Sequence, residues 1–563
     1  MTPLLAPLLV GIAITGASPL ANPVATSPHN MVATVHPLAT DAAVRVLQDG
    51  GNAVDAAVAA ALTLGVVDGH NSGIGGGCFI LVRAADGRIV AIDGRETAPA
   101  RAHRDMFLRD GKADAEASQT GPLAVAVPGA LAAYQMAIEL LGKKPLAALL
   151  QPGAEIAERG FAIDEVYARN IRQSQKAIAQ FPATRALLLQ ADGEPLQAGA
   201  MLVQADLAAT YRALITHGTD WFYRGEFAER LAAWMRDHHG LVAAEDFAAY
   251  RPLRREPLVT KYRGYTVIGF PPPSSGGLHV AQILNLLESF PVREIAERDP
   301  SQWTHVVTEA GKLAFADRAY WLGDPAFASV PRGLASPDYA RRLAKRIDLE
   351  RSTRVAGHAT PDDASTNLFS KHTTHIAAAD DAGNWVAITA TVNTSFGSKV
   401  VVPGTGVFLN NEMDDFSAQP GAANAFGLVG AEANAVAPGK RPLSSMSPTI
   451  VMRDDKPFFT LGAAGGPTII SQVASVLIRR LDLQQSLGEA VAAPRFHHQW
   501  SPDELVVESA LDAKQVELLQ QRGHTIKKRS SIAVLQAIEW SDESRNFVGV
   551  HDPRVPGKAA GTP

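Results

Sequence analysis

The densest group of side chains able to do chemistry lies between Thr373 and Gly397, in the run TTHIAAADDAGNWVAITATVNTSFG. Two apolar stretches there flank Asp380-Asp381-Ala382-Gly383-Asn384, residue types that favour a turn. A hairpin turning about Ala382 sets Thr391 opposite Thr373. Thr389, Thr391 and Asn393 recur at every second residue, so they share one face of their strand. This makes a small polar cluster around the start of the first strand. A threonine hydroxyl becomes a useful nucleophile once a base takes its proton. Threonine is also an ordinary strand residue, so the spacing alone leaves a catalytic and a structural reading open.

The surrounding elements suggest why Thr373 would be reachable. Residues 36 to 67 show apolar side chains three and four apart, implying two helices broken at Gly50-Gly51. Short strands are expected at Cys78 to Val82 and Ile89 to Asp93, the first after the glycine-rich loop Ser72 to Gly77. That loop lacks the GxGxxG spacing and a following helix, so it does not read as a nucleotide cradle. Residues 130 to 350 read mostly as helix, including one from His279 to Glu288 behind the rigid Pro271 to Gly277 entry. Arg351 to Lys371 is polar and reads as an exposed loop, where a processing site would be accessible. Strands follow at Thr374 to Ala379, Trp385 to Val392, Gly406 to Leu409 and Thr449 to Met452, with a mobile surface loop expected at Gly421 to Gly439.

Composition narrows the function classes. With 52 basic and 57 acidic residues the chain carries a net charge of −5, which provides no field for nucleic acid. The single cysteine, Cys78, rules out an intrachain disulfide and a cysteine-rich metal site. No HExxH or clustered Cys/His pattern suggests a catalytic metal. The apolar run Leu4 to Ala17 has the length of a signal-peptide core, with Ala17 or Ala21 as possible cleavage positions. A removed signal over residues 1–21 and a periplasmic or secreted location are therefore expected, with an uncleaved anchor or a merely apolar N-terminus as the alternatives.

The block Thr373-Thr374-His375, with Thr391 to Gly397 behind it, resembles the start of the small subunit of γ-glutamyltransferases. Asn410 to Phe416 (NNEMDDF), Arg441 to Thr449 (RPLSSMSPT) and Gly462 to Pro467 (GAAGGP) resemble later blocks of that family. In the first half Ser72 to Gly77 (SGIGGG), Asp93 to Pro99 (DGRETAP) and Phe270 to Gly277 (FPPPSSGG) fit as well. The resemblance implies an α+β, four-layer αββα sandwich, the N-terminal-nucleophile hydrolase fold. It also implies autocatalytic cleavage at His372-Thr373, giving a large subunit of residues 22–372 and a small subunit of 373–563 that stay together. His372 departs from the residue that often precedes the family's nucleophile, which leaves the rate of cutting open.

The same resemblance implies a role for each site residue. Thr373 becomes the N-terminal nucleophile, and its own α-amine, with a pKa of about 7.7–8.0, becomes the base. That arrangement leaves His375 a structural residue. Thr391 holds Thr373, and the N–H groups of Gly465 and Gly466 form the oxyanion hole. Arg95, Ser444 and Ser445 bind the donor's α-carboxylate, while Asn393, Glu412 and Asp415 bind its ammonium. The loop between Asp415 and Arg441 becomes a lid, with Phe426 as an aromatic gate. Without the resemblance, Arg95 in DGRE reads as a surface ion pair and the Ser444-Ser445 pair as a turn. The implied activity is γ-glutamyl transfer from glutathione-like donors to water, amino acids or peptides, with no cofactor. A glutaryl (cephalosporin) acylase on the same fold is the second reading, and a silent binding protein the third.

Overall fold

The computed structural model describes residues 22–362, 364 and 375–563. The expected signal run and the His372-Thr373 bond lie outside the described residues. Two seven-stranded sheets dominate. The part before residue 372 supplies β1 (Val24–Ser27), β2 (Asn30–Thr34), β3 (Gly77–Arg83), β4 (Ile89–Gly94), β5 (Leu253–Arg255), β6 (Leu258–Tyr262) and β7 (Tyr265–Gly269). The part after it supplies β8 (Ile376–Asp380), β9 (Trp385–Thr391), β10 (Thr449–Arg453), β11 (Lys456–Ala464), β12 (Val534–Ser541), β13 (Asn546–Val550) and β14 (Lys558–Ala560). The sheet orders are β1-β13-β12-β11-β10-β7-β6 and β14-β2-β8-β9-β3-β4-β5. Each sheet therefore contains strands from both parts of the chain.

Side-chain parity fixes how the layers stack. In β3, Phe79 and Leu81 join one apolar cluster while Cys78, Ile80 and Val82 join another. In β8 and β9, Ala377, Ala379, Trp385 and Ala387 turn toward the other sheet, and Phe79 stacks on Phe270 beyond β7 at 4.8 Å. The opposite faces of these strands meet α1 (Pro37–Gln48) and α2 (Ala53–Val67). Helix α2 is buried over its whole length, as its unbroken apolar sequence requires, and starts at an Asn52–Asp55 capping box. The other sheet, which holds β6, β7 and β11, is covered by α3 (Ser275–Leu287) and α5 (Thr468–Leu481), with α4 (Pro300–Trp321) packed on α3. Both faces of the central strands are thus dry, which explains their near-continuous apolar runs.

The hairpin register is the one the turn implies. Ala378 pairs with Val386 and Ile376 with Ile388, symmetric about Ala382. Among the described residues the odd-numbered side chains, His375 and Thr391 with them, face the space between the sheets. The two helices expected between residues 36 and 67 are present, with their break at Gly50-Gly51. Two expectations fail. Gly406 to Leu409 is no strand; Phe408 makes a single bridge to Val401, and a side chain on Gly406 would strike the Leu207 amide at 2.2 Å. The segment is shaped by packing on a helix far back in the chain rather than by strand pairing. The helix-rich stretch also conceals β5, β6 and β7, whose hairpin turns at Arg263-Gly264, both with positive φ.

Candidate active site at the end of the paired sheets

One cavity of about 880 Å³ is lined by Arg95, Thr391, Asn393, Glu412, Asp415, Ser444, Ser445, Gly465 and Gly466. These are all the expected site residues that lie within the described part of the chain; Thr373 lies outside it. His375 and Phe426 share the same wall.

At one end of the cavity sits a knot of charge. Arg95 follows β4 and is 0% exposed. Its Nη2 donates to Asp415 Oδ2 at 2.5 Å, its Nη1 lies 2.6 Å from Glu412 Oε2 and 3.5 Å from Glu96 Oε2, and its Nε donates to the Pro442 carbonyl. Burial opposes the Arg95 charge, but the three acids around it more than offset this and hold it protonated. Burial lifts Glu96 to about 7 and pushes Glu412 well above the ordinary carboxyl range, with each other's charge adding to the shift of Glu412. Glu412 and Asp415 come together because both sit on one short 3-10 turn, Glu412–Asp415.

The serine pair is held from the first half of the chain. Ser444 N donates to the Pro273 carbonyl, and both the amide and the hydroxyl of Ser275 donate to the Ser444 carbonyl, at 2.9 and 2.6 Å. Ser274 Oγ donates to the Met446 carbonyl, and a side chain on Gly276 would meet that carbonyl at 2.1 Å. The Pro-Pro-Pro-Ser-Ser-Gly-Gly entry to α3 is therefore a clamp on the segment that carries Ser444 and Ser445.

Thr391, His375 and the two glycines are placed without an ion pair among the described residues. Thr391 Oγ1 accepts from the Asn393 amide at 2.7 Å, and Asn393 takes a positive φ of 79° that asparagine tolerates. His375 is buried with neither ring nitrogen hydrogen-bonded to a described residue, and burial lowers its pKa to about 3. It packs where a side chain on Gly462 would meet its ring at 2.3 Å. A neutral, enclosed imidazole fits the structural role expected of it. The glycine loop before β3 also finds its purpose here. Side chains on Gly75 and Gly76 would strike the carbonyls of Phe408 at 2.1 Å and Thr391 at 1.8 Å, so the loop lets backbone pack on backbone behind Thr391.

Gly465 and Gly466 lie between β11 and α5, with positive φ of 143° and 59°. A side chain on Gly466 would meet the Phe426 ring at 2.7 Å, and one on Gly465 would meet Thr468 Oγ1 at 2.6 Å. Both the conformation and the crowding call for glycine. The loop carrying Phe426 is tied down rather than hanging free. Asp414 accepts from the Ala425 amide and the Ser118 hydroxyl, and the Gln499 side-chain amide donates to the carbonyls of Phe426 and Gly427.

Sequence reasoning missed Arg318 and Glu96 on this site. Arg318 sits near the end of α4, in a run that carries no motif, and reaches the serine pair only through the fold. Glu96 was adjacent to Arg95 in the DGRE block, and its burial was the missing fact.

A family model described as gamma-glutamyltranspeptidase matches residues 39–562. The chain belongs to this family. The glutathione hydrolase proenzyme of Escherichia coli (strain K12) is 41% identical over 528 residues, covering 93% of this chain and 90% of that one. A crystal structure of a cephalosporin acylase from Bacillus halodurans superposes with a TM-score of 0.85 at 28% identity, covering 99% of this chain and all of the other. The γ-glutamyltranspeptidase of Helicobacter pylori gives a TM-score of 0.55 at 36% identity over 57% of this chain and 92% of that one. Among the described residues no helix is long and apolar enough to cross a membrane.

Proposed function

We infer that the protein transfers γ-glutamyl groups from glutathione and related donors to water, or to amino acid or peptide acceptors. Family membership across nearly the whole chain carries the reading. The cavity is consistent with it, because a γ-glutamyl donor ends in an ammonium and a carboxylate, and the wall offers acids beside a guanidinium and a pair of serines.

In this reading the precursor cuts itself at His372-Thr373, leaving a large subunit of 22–372 and a small subunit of 373–563 in one αββα sandwich. Cutting frees the α-amine of Thr373. That amine takes the hydroxyl proton while Oγ attacks the γ-carbonyl of the donor. Gly465 and Gly466 donate to the oxyanion, the amine leaving group departs with the proton, and a γ-glutamyl ester remains on Thr373. Water or an acceptor amine then attacks the ester and returns the hydroxyl. Thr391 orients Thr373. Arg95, Ser444 and Ser445 hold the α-carboxylate, and Asn393, Glu412 and Asp415 hold the ammonium. Residues 1–21 direct export to the periplasm or medium.

Intact mass and N-terminal sequencing of the purified protein test the cut and the signal together. Thr373→Ala should leave one uncut, inactive chain; two pieces cut at that bond would sink the assignment. The acylase neighbour favours a second reading, a glutaryl-β-lactam amidase. Phe426 packed against Gly466 beneath the loop argues for the smaller γ-glutamyl donor. Turnover of γ-glutamyl-p-nitroanilide against a glutaryl-β-lactam separates the two.

A further inference from the structure

The cavity wall contains a second buried guanidinium with no task in the reading above. Arg318, on α4, is 4% exposed and lines the same cavity as Arg95. The two arginines are differently employed. Both terminal nitrogens of Arg95 face carboxylates, so that fork is already occupied. Arg318 touches only hydroxyls: Nε donates to Ser275 Oγ at 2.9 Å and Nη2 to Ser445 Oγ at 3.3 Å. No carboxylate among the described residues forms an ion pair with it. Burial lowers its pKa to about 10, which still leaves it charged at neutral pH. The only carboxylate that offsets this burial, Asp415, is already paired with Arg95, so an anion arriving in the cavity would relieve the remaining cost.

The hydrogen bonds have a direction. A guanidinium can only donate, so the oxygens of Ser275 and Ser445 accept from it. Ser275 passes its own proton to the Ser444 carbonyl. Ser445 Oγ, with its lone pair engaged by Arg318, has its proton left to give, and it lines the cavity. The cavity thus sets acids at Glu412 and Asp415 beside a cationic, hydroxyl-bearing wall at Arg318 and Ser445, a pairing that matches a zwitterion.

We propose that Arg318 is a positioning residue for the donor's α-carboxylate: it fixes Ser445 as a hydroxyl donor and backs Arg95 with a second buried positive charge. The proposal rests on the γ-glutamyl reading and deepens it.

The test compares γ-glutamyl-p-nitroanilide with its decarboxylated counterpart, 4-aminobutanoyl-p-nitroanilide, on the processed enzyme. Arg318→Gln should raise KM for the first donor on the order of 10–100-fold, the worth of a charge-assisted contact, with kcat little changed. KM for the decarboxylated donor should stay put, and Arg318→Lys should recover part of the loss. The double variant Arg318→Gln with Ser445→Ala should be no worse than its worse single parent, because both act on one contact. If Arg318→Gln is not processed, Ser275→Ala, which removes only one of its anchors, should show the same donor-dependent shift at smaller size. Equal KM shifts for both donors, or a loss confined to kcat, would overturn the proposal. A wild-type enzyme that ignores γ-glutamyl-p-nitroanilide would instead refute the γ-glutamyl reading itself.

Discussion

The two ends of the cavity are built on opposite principles. Around Arg95 three carboxylates share one buried guanidinium, and every charge depends on its neighbours. Thr391, His375 and Gly465-Gly466 are held without an ion pair among the described residues; shape, positive φ and close backbone approach do the positioning. The difference separates recognition from reaction. A zwitterionic substrate end is gripped by charge, while a reacting carbonyl is met by fixed dipoles that need no reorganisation. Damage at the charged end should therefore fall on stability and KM, and damage at the other end on kcat.

The strongest break is Arg95→Met, which strands Asp415 and Glu412 without their partner. Removing one member of a buried ion cluster costs about 3–5 kcal/mol, so the melting temperature should fall sharply and donor KM should rise beyond ~100-fold. A variant with unchanged melting and KM would dissolve the contrast. Gly466→Ala tests the other end. The added methyl must displace the Phe426 ring and strain a φ of 59°, and kcat should fall on the order of 10²–10³-fold with KM far less affected.

His375 gives a smaller, pH-dependent test of that end. Its folded pKa of about 3 lies below the ordinary 6.5, so the unfolded chain takes a proton that the folded protein refuses. Its contribution to stability is complete above pH 6.5 and declines as pH falls toward 3. Urea denaturation should show His375→Gln losing about 2 kcal/mol less than the wild type between pH 7 and pH 5. Identical losses would mean the ring is solvated. Smallest is Thr391→Val, which removes the acceptor of the Asn393 amide. It should lower kcat about 5–10-fold, the value of one hydrogen bond, with a smaller rise in donor KM through the loosened Asn393.

The hairpin was readable because its determinants are local. A turn and a two-residue period suffice to set Ile376 against Ile388. The glycines were visible as motifs, but their reason was not, since the Thr391 carbonyl that crowds Gly76 lies more than 300 residues away. Arg95 was found through its block, although DGRE alone suggested an exposed ion pair and the fold buries it completely. Arg318 was invisible for the same physical reason: its partner Ser445 is brought to it by the packing of α4 on α3, which in turn covers β6 and β7, and no local pattern records that contact. The strands β5 to β7 were lost among helices because β5 is exposed or half-buried, and β5 and β7 pair with partners distant in sequence.

The mixing of strands from both parts within each sheet sets an order of events. β2 lies between β14 and β8, and β9 between β8 and β3, so neither half of the chain owns a complete sheet. A chain severed at residue 372 before folding would have to weave two separate strands sets into one another. One severed after folding loses no pairing among the described strands. Maturation should therefore run in one direction, and the products should be permanent companions. Two differently tagged batches of mature enzyme, mixed and incubated, should not trade subunits at any temperature below melting.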